Sequence, residues 1–243
     1  MNRGYIHVAS IALCAVLLIA GQHNAKAAET PFDDIAIPDS VMASIDAART
    51  GKPLWMPKFK KISYTVKAIP SNQKDNEVTK EIEALPNGLL RTREIYGSTI
   101  NIQNIMFGDL VNLKSRLDGL PDSWDFVANK LDLELPAELM PGAKIASKWE
   151  MEFRPQQDDD LSLTTYHQCI VKERVDANTL FPKLTGKAAK LDCQISYKSA
   201  KKPDRIQKTT VMYLEDLGLF FTQEGLLASG SVSFVITRMD IER

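Results

Sequence analysis

Apolar and polar side chains alternate along most of this chain. Ile62, Tyr64, Val66 and Ala68 are interleaved with Ser63, Thr65 and Lys67, and Trp149, Met151 and Phe153 with Lys148, Glu150, Glu152 and Arg154. The same pattern carries Ala189, Leu191, Cys193, Ile195 and Tyr197 against Lys190, Asp192, Gln194 and Ser196. It returns in Val232, Phe234 and Ile236 against Ser231, Ser233 and Thr237. Successive strand residues point to opposite faces, so a period of two marks strands with one buried and one wetted face, the habit of antiparallel sheets. Weaker strands are predicted over 78–85, 89–96, 100–105 and 211–221. Turn residues fall between them at Ser71–Asn76, Pro86-Asn87-Gly88, Gln156–Asp160 and Ser199–Asp204.

Helical spacing is scarce. Val41, Ile45 and Ala48 share one face of a short predicted helix, capped by Asp39 or Ser40 and ended by Gly51. A second helix is predicted over Asp122–Leu131, with Trp124, Val127 and Leu131 on one stripe. Residues 28–38 are of mixed character and are expected to attach loosely. Few helices are available as crossovers, so an antiparallel sheet fits better than a parallel α/β sheet. The expected class is mainly β (β-rich α+β): seven to ten strands in a large curved antiparallel sheet or half-open barrel, with one or two short helices, as a single domain over 28–243.

The first 27 residues follow a different rule. Arg3 is followed by an apolar run from Val8 to Ala20, interrupted only by Ser10, and then by Ala25-Lys26-Ala27. This is the layout of a cleaved secretory signal peptide, and the run is short for a bilayer span. Export is therefore expected, to the periplasm of a Gram-negative cell or to the outside, with no transmembrane span in the mature chain. Leu13 precedes Cys14 where lipidation needs a small residue, so a lipid anchor is not expected.

Removing that segment simplifies the chemistry. The mature chain would hold 28 basic and 31 acidic residues, a formal charge of −3, which does not suit a nucleic-acid partner. Only Cys169 and Cys193 remain, and an even pair in an oxidising compartment reads as a disulfide, the alternative being two buried thiols. If they face each other across a hairpin, Val171 meets Leu191, His167 meets Ile195 and Thr165 meets Tyr197. Apolar partners then share a face that a one-residue slip would scatter. The bridge could instead join more distant strands.

His167 is the one histidine left, so a multi-histidine zinc site is excluded. It has the pKa range of a general base, but no G-x-S-x-G elbow accompanies it, and it fits equally a hydrogen-bonded core histidine. Asp158-Asp159-Asp160 lacks the remainder of a calcium loop and reads as a solvated turn. Lys198, Lys201, Lys202, Arg205 and Lys208 read as a charged loop. Ser71–Lys74 and Ser199–Lys202 match S-x-x-K by chance in lysine-rich turns. No cofactor or metal is expected.

Three functions stay open. The first is a non-enzymatic exported binding or carrier protein whose concave sheet face takes a lipid or another apolar small molecule. The second is a module that docks another envelope protein; the third is a hydrolase using His167. The alternative to the first is a closed core filled by side chains such as Trp149. Non-reducing peptide mapping should return one cross-linked fragment pair containing Cys169 and Cys193; two free thiols would remove the basis of the hairpin register.

Overall fold

A computed structural model describes residues 31–71, 75–96, 100–118, 124–154, 163–199, 202–227 and 230–243. The strands are β1 (Lys61–Pro70), β2 (Asn76–Ala84), β3 (Leu90–Tyr96), β4 (Ile100–Phe107), β5 (Val111–Asp118) and β6 (Trp124–Glu134). They continue as β7 (Lys144–Arg154), β8 (Leu163–Asp176), β9 (Lys187–Ser199), β10 (Lys202–Leu214), β11 (Leu219–Leu227) and β12 (Gly230–Glu242). Each pairs antiparallel with its sequence neighbours, and β12 pairs with β1, so the expected curved sheet is a closed twelve-strand barrel. One helix, α1 (Asp39–Arg49), precedes it.

The outer wall is mostly polar, although Ile69, Ile170, Ile206, Leu226 and Val235 are exposed on the strands as well. Glu83, Arg93, Asp132, Gln168, Asp192 and Gln194 are all exposed on strands whose alternate residues are buried. A bilayer-spanning barrel needs the opposite arrangement, with an apolar outer band. Among the described residues no helix is long and apolar enough to cross a membrane.

The β8–β9 hairpin has the predicted register. Thr165 faces Tyr197, His167 faces Ile195, Cys169 faces Cys193 and Val171 faces Leu191, before a bulge after Val171 shifts the pairing. Cys169 and Cys193 are joined by a disulfide, both buried.

Five expectations are corrected. Twelve strands form where seven to ten were expected, because Val111–Asp118 is a strand too and the first two segments below add one each. The segment 122–131, expected as a helix, is strand β6 from Trp124 onward. Residues 125–128 are all buried, and a bulge between Ala128 and Lys130 then brings Leu131 into the core; Val127 and Leu131 thus share burial four residues apart, which imitates helical spacing. The segment 211–221, expected as one strand, is the end of β10, a turn and the start of β11. Gly218 makes that turn at φ +67°, and a Cβ there would lie 2.1 Å from the Met56 carbonyl oxygen. Helix α1 is preceded by Pro38 with no side-chain cap, and Asp39 is its first residue, its carboxylate at the positive end of the dipole. Residues 31–38, expected to be loose, are docked. Phe32 and Ile35 are buried, and the Lys114 ammonium donates to their carbonyls at 2.7 and 2.9 Å.

The signal segment, Gln156–Asp160 and parts of the other polar turns (72–74, 200–201) lie outside the described residues.

One end of the barrel is plugged. Val41, Ile45 and Ala48 of α1, together with Trp55, belong to the core that fills this end. Trp55 stacks on Phe220 and tilts against Tyr213, its indole N–H donates to the Pro136 carbonyl, and the Tyr213 hydroxyl donates to Leu54. The same end is pinched. The Phe220 amide donates to the Gly108 carbonyl at 3.0 Å, although β11 is not a neighbour of β4 or β5 in the sheet. The pinch sets a second core apart, in which Met212, Leu214 and Phe221 pack with Ile62, Tyr64 and Met239. Trp55→Ala should cost about 3–5 kcal/mol of unfolding free energy, read from chemical denaturation, because it opens a cavity at the plug and strands the Pro136 carbonyl.

Candidate functional site in the barrel lumen

Plug and pinch leave a cavity of about 150 Å³ between the barrel walls. The period-two pattern decides what lines it. Phe126, Trp149, Met151, Ile195 and Val211 form an apolar wall, while Lys80, Glu94, Asn104, Asn112 and Ser115 bring polar groups from the opposite wall.

Those polar groups form two connected clusters. In the first, the Lys80 ammonium on β2 donates to both carboxylate oxygens of Asp109, at 2.6 and 2.8 Å, and lies 3.0 Å from Glu94 Oε1 on β3. The Tyr96 hydroxyl donates to Glu94 Oε2 at 2.6 Å. Asp109 reaches this position through the β4–β5 turn. Gly108 and Asp109 have φ of 62° and 67°, and Leu110 N–H closes the turn on Phe107, an arrangement of the I′ kind that tolerates Asp. In the second cluster Asn104 donates to Thr92 and accepts from Asn112 and Ser115.

Burial sets the proton affinities. Burial pushes the Asp109 carboxyl up to about 6 against the opposing pull of Lys80. Burial alone would lower the Lys80 ammonium, but Asp109 and Glu94 outweigh it and hold the group well above its ordinary range. Desolvation also raises the Tyr64 hydroxyl, which faces the same cluster.

Three residues that line the cavity each carry a buried polar atom without a partner among the described residues: Asn112 Oδ1, Trp149 Nε1 and Thr209 Oγ1. All three residues are buried. Leaving such a group unpaired costs about 1–3 kcal/mol, so a folded chain retains it only where something else satisfies it.

His167 points into this cavity, as its alternation with Cys169 predicts, and is 3% exposed. Burial lowers its pKa to about 4, so it is neutral near neutrality. Its one polar contact among the described residues is Cys169 Sγ at 3.2 Å, and Ser147, opposite it on β7, leaves its hydroxyl unpaired. Among the described residues no nucleophile or acid is hydrogen-bonded to it. His167, Cys169 and Cys193 bring three potential metal ligand atoms within 4.8 Å of one another. The disulfide removes the two thiolates such a site would use.

Sequence reasoning passed over Lys80, Glu94 and Asp109. A signal existed for two of them. Lys80 is in phase with Val78 and Ile82, and Glu94 with Leu90 and Thr92, so each is a charge on the buried side of a strand. Asp109 carried only a Gly-Asp turn signature. No family model matches the chain, and neither a curated protein nor a solved structure is found to be similar to it.

Two titrations oppose each other. Asp109, raised from 3.8 to about 6, binds its proton more tightly when folded, so its contribution to stability is lost as pH rises across that interval. His167, lowered from 6.5 to about 4, binds its proton more weakly when folded, so its contribution is lost as pH falls across that interval. Relative to the parent, Asp109→Asn should gain stability with rising pH between about 4 and 6 and His167→Gln should lose it, each by about 3 kcal/mol. Melting curves at matched pH values measure both slopes.

Proposed function

We propose that this protein is an exported, non-enzymatic binding or carrier protein that holds a small, largely apolar ligand inside its barrel. The observation that carries this reading is the set of buried, unpaired polar atoms around the lumen, Asn112 Oδ1, Trp149 Nε1 and Thr209 Oγ1. A core built only for stability would fill the space and pair or remove those groups. Residues 1–27 and the disulfide support export.

Size narrows the ligand. The lumen is about 150 Å³, and an engineered apolar cavity of about that volume accepts benzene. A whole diacyl lipid is far too large for it; a compact molecule, or the end of one chain, suits it.

Docking of another envelope protein is the second reading. Ile170 and Leu226, 41% and 54% exposed, are among the residues that line a second cleft, of about 880 Å³. The hydrolase reading draws least support, because nothing hydrogen-bonds His167 into a catalytic chain among the described residues.

Native mass spectrometry of the protein purified gently from its producing cells tests the first reading. An adduct of small-molecule mass should be present and should vanish on denaturation. Thr209→Phe, which fills the lumen at a cost of about 1–3 kcal/mol, should give a folded barrel without it. A clean apo mass, together with a protein partner that co-purifies, would overturn the carrier reading in favour of docking.

A further inference from the structure

Two carboxylates share one ammonium in this lumen. Glu94 is 2% exposed and Lys80 is 8% exposed, and with Glu94 and Asp109 ionised the group carries a formal charge of −1. The three donors of Lys80 are committed to Asp109 Oδ1, Asp109 Oδ2 and Glu94 Oε1, and Tyr96 occupies Glu94 Oε2. Each carboxylate oxygen therefore has one donor and room for a second. Asn112 Oδ1 adds another buried acceptor on the same cavity, with no donor among the described residues. What is missing at this wall is positive charge and hydrogen-bond donors. An anionic or purely accepting ligand would add repulsion to a desolvated negative group, whereas an ammonium would supply both missing elements.

We propose that the lumen binds a small monocationic ligand, an apolar body bearing a protonated amine, with its ammonium seated among Glu94, Asp109 and Asn112. The proposal rests on the reading of the lumen as a ligand chamber. The apolar body lies along Trp149, Met151 and Ile195, which line the opposite wall. The Trp149 N–H and Thr209 hydroxyl are left to meet a polar atom at the ligand's other end, or water.

Protons compete with such a ligand, because a proton on Asp109 cancels the same excess charge as the ammonium does. The ionisable groups facing Asp109 are Lys80, Glu94 and Tyr64. Since burial places the Asp109 carboxyl at about 6, the amine is held above that pH and released below it.

Isothermal titration of the isolated protein with benzylamine, benzyl alcohol and benzoate tests the charge selection, because the three probes share size and shape. At about pH 7, benzylamine should bind tenfold or more tighter than benzyl alcohol, and benzoate should not bind; the preference should shrink at about pH 5. Glu94→Gln should abolish the preference. Asp109→Asn, acceptable at a positive φ, should do the same and serves if the first variant fails to fold. Equal or tighter binding of benzyl alcohol or benzoate, or a preference that survives both variants, would overturn the proposal and leave the chamber reading intact. Absence of binding by all three probes, with no adduct in the native mass spectrum, would overturn both.

Discussion

A barrel of twelve strands is wider than its own side chains can fill. Eight strands give an interior just closed by inward residues, and the diameter grows with strand number, so this chain must fill its centre by other means. It does so at one end only. Helix α1 and Trp55 enter as a plug, and the start of β11 meets the β4–β5 turn where Phe220 bonds Gly108. The two packed cores, the positive φ of Gly218 and the docking of residues 31–38 by Lys114 all accompany this solution. Where plug and pinch end, the lumen remains.

The same geometry explains the buried charges. The pinch brings the β4–β5 turn inward, and Asp109 comes with it to meet Lys80. A buried ion pair is weak evidence for stability, since desolvation consumes most of the Coulombic gain. A lysine confronted by two carboxylates is weaker evidence still, because the excess negative charge has no partner among the described residues. Three buried atoms on residues lining the same cavity are likewise without a partner among the described residues.

His167 shows how far one residue can be read without its neighbours. Its alternation with Cys169 correctly places it inside, and burial then renders it neutral. What surrounds it, a disulfide sulfur and an unpaired serine hydroxyl on the next strand, is decided by strand pairing. Among the described residues, Cys169 Sγ is its one polar contact.

Local pattern determined much of this molecule. Alternation along 62–68, 148–154, 189–197 and 231–237 specifies strands and their buried faces, since side-chain direction is a property of the extended backbone. The two cysteines and their apolar companions specify the β8–β9 register, since a slip of one residue would expose the whole set. Tertiary structure alone decided the rest. Closure of the sheet, the bulge within β6 where the sequence reads as helical, and the turn that divided 211–221 depend on contacts between distant segments. The convergence of Lys80, Glu94 and Asp109 depends on them too. No local window contains the partner that makes such an arrangement favourable.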